Sequence, residues 1–271
     1  MAKLQSTEIV GVANRPSTIC SNSVCLWFDT TNTKIVYSYC GYSGAGVWSA
    51  GGALITGRGY LAGAGTQNAG LAAGGYTTVS LSCTEEYNGT SWSAGGALIT
   101  ARNGLAGAGT QNEGLVAGGN IITANKVTCT EEYNGTSWSA GGALITARFY
   151  LAGAGTQNVG LVAGGYVNGN VSCTEEYNGT SWSAGGALIT ARYALAGAGT
   201  QNEGLAIGGV TVSCTEEYNG TSWSAGGAMI TARYALARAG LQGSGLAVGG
   251  AGNLSCTEEY TKPLAIIDCI K

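Results

Sequence analysis

The stretch Thr84 to Arg102, TEEYNGTSWSAGGALITAR, returns almost word for word at Thr130 to Arg148, Thr174 to Arg192 and Thr215 to Arg233. Trp48, Trp92, Trp138, Trp182 and Trp223 mark the period. Self-similarity at a spacing of about 40–50 residues points to a repeat architecture, and that unit length is the one found in propeller blades. Gly accounts for 48 of 271 residues and Phe for only 2. A core built from so much backbone and so few large rings suits closely stacked sheets. With only 2 Pro, the glycine signature is neither collagenous nor that of a disordered linker.

The unit from Arg192 to Trp223 divides into four predicted strands. Tyr193 to Gln201 is the first, Glu203 to Gly209 the second, Ser213 to Tyr218 the third, and a run from Thr221 into the next unit the fourth. Asn219-Gly220 between the last two is a strong hairpin signal, read here as a type I′ turn with both residues at positive φ. Four antiparallel strands make a blade. The first of them, LAGAGTQ, is nearly all Gly and Ala, as strands converging on a propeller axis require.

The ends of the array test closure. The last unit runs out after Cys256 to Tyr260 without a Trp strand, whereas the first is preceded by a surplus one, Val47 to Leu54. The N-terminal Trp strand is therefore expected to complete the C-terminal blade and leave no open edge. The fold class expected is all-β, a propeller of five four-stranded blades over 42–271, with a sixth partial blade left open. Residues 1–41 do not match the repeat. Ser23 to Asp29 and Lys34 to Cys40 read as a hairpin, a small β appendage.

Charge and composition exclude several functions. The formal charge is −3, with 10% charged residues, and the basic ones are scattered singly. No basic stripe invites nucleic acid. No run of about 20 apolar residues suggests membrane insertion, and the N-terminal stretch lacks a signal-peptide pattern. Of the nine Cys, Cys83, Cys129, Cys173, Cys214 and Cys256 occupy one repeat position, too far apart between blades for disulfides. They read as small buried groups with free thiols. Cys20, Cys25, Cys40 and Cys269 lie outside the repeat; a bridge among them stays open, though a cytosolic origin argues against it.

A double glycine, then Tyr, Trp and Arg, recurs as Gly74, Gly75, Tyr87, Trp92 and Arg102, and again as Gly118, Gly119, Tyr133, Trp138 and Arg148. Over residues 42 to 260 this resembles the kelch motif of β-propellers. The Ala-Gly-Gly-Ala run after each Trp and the near identity of the units depart from that pattern. The phrasing TEEYNGTSWSAGGALITAR with LAGAGTQN is also similar to propeller proteins of marine bacteriophages, especially those of cyanobacteria. The resemblance implies a virion structural protein, a fibre tip or particle decoration, made in the host cytoplasm. Its implied partners are other virion proteins, reached through 1–41, sister chains in a homo-oligomer, and a host-surface glycan or receptor. The alternative is a cellular kelch-type module binding protein or carbohydrate.

Chemistry is read as sparse. There is no His, which removes imidazole-based catalysis and the His-ligated copper site of oxidases resembling galactose oxidase. No cofactor or metal is expected, and no enzymatic activity. The Glu pairs of each TEEY point to opposite faces of a strand, so they do not converge on a substrate. One Glu of each pair is expected to hold the repeat arginine: Arg58, Arg102, Arg148, Arg192 or Arg233. The repeat Trp and Tyr side chains are expected to pack between blades. The N-G-T triplets are turns rather than glycosylation sites, and the Gly-rich runs lack the Lys-Ser/Thr of a phosphate loop. Binding residues are sought where the units differ: the pair after each Arg and the loop between the double glycine and Cys. Tyr60, Phe149, Tyr150, Tyr193 and Tyr234 are the candidate binding residues, expected at one mouth of the channel.

Overall fold

The computed structural model describes residues 24–29, 34–39, 50–121, 125–210, 212–251 and 257–262. It divides into two compact units, Met1–Ala50 and Gly51–Lys271. In the first, strand Val24–Asp29 pairs antiparallel with Lys34–Tyr39, in register from Val24 opposite Tyr39 to Asp29 opposite Lys34.

The second unit is an all-β propeller of five blades rather than six. In the first blade the strands run in order from the channel outward: Ala62–Thr66, Ala69–Ala73, Thr84–Tyr87 and Trp92–Gly95. The next three blades repeat this order, starting from inner strands Ala106–Gly109, Ala152–Gly155 and Ala196–Gly199. Among the described residues the fifth blade has three strands, Ala237–Leu241, Ser244–Val248 and Thr257–Thr261. The strand expected around Trp48 to complete it lies outside the described residues.

Strands are shorter than the sequence suggests; the four read between Tyr193 and Trp223 are Ala196–Gly199, Gly204–Ile207, Thr215–Tyr218 and Trp223–Ala225. Glycine and side-chain hydrogen bonds end them early. The Asn-Gly turns also differ from the type I′ reading. Only the glycines, such as Gly220 at φ 87°, are at positive φ. Asn219 instead accepts the N–H groups of Thr221 and Ser222 at its Oδ1, at 3.0 and 2.8 Å. This is an Asx turn, which favours an ordinary asparagine backbone.

Small residues set how closely blades stack. A Cβ built on Gly107 would lie 2.7 Å from the Gly63 carbonyl of the preceding blade, so nothing larger than hydrogen fits. The double glycine serves a second close approach. Gly118 and Gly119 sit at φ 66° and 108°, and Gly119 N–H donates to the Arg148 carbonyl at 2.9 Å. The core is thus a series of inter-blade layers built on Leu and Ala, with a Tyr and a Trp in three of the four. Trp138, Leu71, Leu98 and Leu105 share one such layer, although the chain places them in two blades.

Each seam between consecutive blades, from first to fifth, carries the same tyrosine and glutamine bonds, and the first three seams add a tryptophan bond. The blade tyrosine donates across it to the second Glu of the preceding TEEY: Tyr133 to Glu86, Tyr177 to Glu132 and Tyr218 to Glu176, all at 2.5 Å, and Tyr260 to Glu217. The indoles of Trp138, Trp182 and Trp223 donate at 2.9 Å to Thr84, Thr130 and Thr174. Gln111 bridges the Gly70 and Tyr87 carbonyls, as Gln157, Gln201 and Gln242 do in their seams. The two glutamates therefore divide their work, because neighbours on a strand face opposite sides.

The first Glu goes inward. Glu131 pairs with Arg102 at 2.9 Å, Glu175 with Arg148 at 3.1 Å and Glu216 with Arg192 at 3.2 Å, with Arg58–Glu85 and Arg233–Glu258 completing the set. All five guanidinium groups are buried. Each carboxylate also accepts two backbone N–H groups, Glu131 those of Ile99 and Thr100 at 2.7 and 3.2 Å. Burial alone pushes the Glu85 carboxyl up, but the guanidinium and these bonds together keep it below its ordinary range, since both favour the charged form.

Candidate functional site

Antiparallel alternation sorts the connections into two ends. Turns within strand pairs, Thr-Gln-Asn and Asn-Gly-Thr, lie at one end. The loops after the double glycine and the links from one blade to the next lie at the other, here the loop end. Both places where the repeats differ fall at this loop end, and they touch. In the first three units the residue after the Arg forms a β-bridge with the residue after the double glycine, Gly59 with Tyr76, Asn103 with Asn120 and Phe149 with Tyr166, and in the last two Val210 and Ala251 N–H donate to the Tyr193 and Tyr234 carbonyls. Two separate variable stretches of sequence thus make one surface.

The second residue of each variable pair turns the chain into the inner strand through the left-handed region. Tyr60, Tyr150, Ala194 and Ala235 do so at φ 51–55°, and Gly104 at 61°. Such a conformation is uncommon for residues other than glycine and needs the surroundings to hold it. Main-chain bonds from blade to blade do that: Gly104 N–H to Tyr60 O at 2.8 Å, Tyr150 to Gly104 at 2.7 Å, Ala194 to Tyr150 and Ala235 to Ala194 at 2.8 Å. They form a backbone girdle around the channel.

The channel encloses about 1080 Å³ and is bordered by the inner strands of all five blades. Its described lining consists of Gly, Ala, Leu and Tyr alone. Tyr60, Tyr150, Tyr193 and Tyr234 are the four aromatic residues of that lining. Tyr60 and Tyr234 are exposed. Tyr150 packs against Tyr60 at 5.4 Å and Tyr193 at 6.2 Å between ring centroids. Phe149 stands behind the lining and supports it, 4.6 Å from Tyr150 and 5.6 Å from Tyr166. Tyr166 meets Tyr193 edge-on at 5.2 Å. Burial, then the neighbouring phenols of Tyr60 and Tyr193, push the Tyr150 hydroxyl up. At neutral pH it is therefore a neutral donor and acceptor.

Sequence reasoning missed Tyr166 and Tyr76. The signal was present, a Tyr directly after the double glycine in two of the five units, but only the β-bridge shows that this position abuts the aromatic pair. It also missed the surrounding crown. Ile55, Ile99, Ile145 and Ile189 are each 61–64% exposed, and Ile230 92%. Ile99, Ile145 and Ile189 each follow a buried Leu, Ile55 a half-buried one and Ile230 a Met packed on the core, and the N–H of each is held by the arginine-bound glutamate. Among the described residues, nine of the eleven exposed large hydrophobics lie at the loop end; Val159 and Leu241 are the exceptions.

The repeat cysteines correct the sequence reading in one respect. Cys83, Cys129, Cys173 and Cys214 are free thiols, but half-buried rather than buried. Each follows the variable loop, where the chain is still entering its strand. Cys173 and Cys214 lie 2.5 and 2.6 Å from guanidinium nitrogens of Arg148 and Arg192. Trp138, Trp182 and Trp223 are buried and stack on the tyrosines of their own blades at 4.8–4.9 Å.

No group of three or more His, Cys, Asp or Glu residues suited to a metal occurs among the described residues. What the mouth offers is stacking surface and phenol hydroxyls, the chemistry of reversible binding. Comparison with protein-family models gives no match, and comparison with curated proteins gives none either.

Proposed function

We propose that this propeller is a non-enzymatic binding protein of kelch type carried on a bacteriophage particle, as a decoration or fibre tip. It contacts host-surface glycan through the aromatic channel mouth, and residues 1–41 dock it to the particle or to sister chains. The observation that carries the binding reading is the convergence of Tyr60, Tyr150 and Tyr193, with Tyr234, on a channel otherwise lined by Gly, Ala and Leu. Sugar rings present C–H patches that stack on aromatic faces and hydroxyls that bond to phenols. Weak contacts on each head, multiplied over several heads on one particle, give useful avidity without a strong single site. The virion setting rests on the repeat phrasing, which is similar to that of marine phage propellers.

A glycan array probed with the full chain, and with Tyr150→Ala, Tyr193→Ala and Tyr234→Ala, tests the binding reading. Binding to a defined glycan class that falls at least tenfold in the Tyr150 and Tyr193 variants is the expected result. No glycan bound, or binding indifferent to all three changes, removes it. Genes for capsid and tail proteins beside this one support the virion setting, and a cellular operon favours the cellular module instead.

A further inference from the structure

Below the tyrosines the wall of the channel is peptide backbone. In the second blade it is bordered by every residue from Leu105 to Gly109, and in the first by every residue from Ala62 to Gly65. Successive side chains of a strand point to opposite faces, so an unbroken run of residues along one wall means that the strand turns its edge to the channel. The side chains confirm this by going sideways. Ala62 faces the following blade and Gly107 the preceding one, with a Cβ built on Gly107 only 3.0 Å from that of Ala62. Gly153 and Ala106 stand in the same relation at 3.0 Å, and Gly197 and Ala152 at 2.8 Å. Leu105, Leu151 and Leu195 also border the channel, yet their side chains are buried in the inter-blade layers.

Each inner strand is the end member of its own sheet, and the free edge of such a strand carries a row of N–H and C=O groups. Five edges of four or five residues give about 14–17 Å of hydrogen-bonding wall. An alkyl chain in this bore would leave those groups without partners, the cost that buried amides avoid. An extended peptide has amides for one edge only and side chains to seat against the others. A saccharide hydroxyl both donates and accepts, so a sugar chain can answer donors and acceptors on every side.

We infer that the channel is a socket for the free end of an unbranched oligosaccharide. This rests on the glycan reading of the mouth and extends it inward: the terminal sugars pass the tyrosine rim and bond along the strand edges, whereas chain interiors and branch points stop at the rim. Surface glycans are anchored through their reducing ends, so the end that enters is the non-reducing one. The Gly and Ala of the inner strands then serve the site as well as the stacking, because only small side chains packed sideways leave the backbone open to a guest.

The test is a glycan array printed in two orientations, each unbranched oligosaccharide tethered through its reducing sugar in one set and through its non-reducing sugar in the other, probed with the full chain. Binding is expected to be at least tenfold weaker in the second set. A variant gives a separate readout. Ala235 lines the opening, is exposed, and holds φ 51° where Tyr60 and Tyr150 hold 55°, so Ala235→Tyr suits the backbone while adding a ring to the mouth. Stacking on the rim alone would be unchanged or strengthened by that ring; entry of a chain end is expected to weaken at least fivefold. Equal binding in both orientations, or binding that Ala235→Tyr leaves unchanged or improves, overturns the socket and leaves the aromatic-mouth reading standing. An array with no bound oligosaccharide removes both, and the orientation test holds even if the variant does not fold.

Discussion

The two ends of the propeller are made from the same strands, yet they obey different rules. At the turn end the first four units carry the same short turns, tied by side chains: Asn134 to its own loop at 3.0 and 2.9 Å, Gln157 to two carbonyls of the preceding blade. At the loop end the backbone is held from beneath, by glutamates on buried arginines and by the girdle, and the side chains above are free to differ. Where side chains build the backbone, the units cannot vary; where the backbone is held by other means, they can.

Removing the support beneath the loop end is the largest expected effect. Arg148→Ala leaves Glu175 buried without its cation, and chemical denaturation is expected to show a loss of about 3–5 kcal/mol. A loss under about 1 kcal/mol, the scale of an exposed ion pair, would mean that the loop end is held by the girdle alone. Next in size is the seam bridge. Gln157→Ala strands two part-buried carbonyls, a cost on the order of 1–3 kcal/mol by the same measurement. Asn134→Ala deletes one exposed Asx turn and is expected to cost about 1 kcal/mol, the scale of comparable side-chain caps. Smallest is the crown: Ile145→Ser is expected to change stability by less than about 0.5 kcal/mol, since it removes only exposed surface. A larger loss there would show that the crown packs rather than merely sits.

The ends also differ in their response to pH. The seam tyrosines have raised pKa values because burial, then the glutamate each donates to, opposes ionisation; Tyr177, Tyr218 and Tyr260 are pushed up to about 12. Unfolded tyrosine loses its proton near 10, so the folded state is fully favoured below about 10 and loses that advantage as pH rises toward about 12. The Glu85 carboxyl is depressed from its ordinary 4.5. Its contribution is therefore present above that value and is lost as pH falls through the lower folded one. Melting followed across pH is expected to loosen the seams in alkali and the Arg58–Glu85 site in acid. A flat alkaline limb over the tyrosine range would contradict the tyrosine–glutamate bonds.

Much of this was legible in the residues. The period, the blade of four strands and the Arg–Glu pairs follow from repetition, because a buried cation repeated in every blade needs an anion repeated in every blade. The destination of the second Glu was not legible, since its partner sits in the next blade and only stacking brings Tyr133 to Glu86. Nor were the exposed isoleucines: ALIT reads as the end of an apolar strand, and only the carboxylate holding the Ile99 N–H turns that side chain outward. The candidate aromatics were legible as variation, whereas the division between Tyr150 in the lining and Phe149 behind it depends on which of two adjacent residues takes the positive φ.

The girdle around the channel has a consequence for how such a protein changes over generations. Its bonds run from amide to carbonyl and ask nothing of the side chain except tolerance of a left-handed turn, which Tyr, Ala and Gly all meet here. Because the repeats are so nearly alike, recombination between them exchanges whole units without disturbing a neighbour. Each exchange deals a new order of rings around the opening on an unaltered scaffold, so the aromatic rim can be reshuffled faster than point mutation alone would allow.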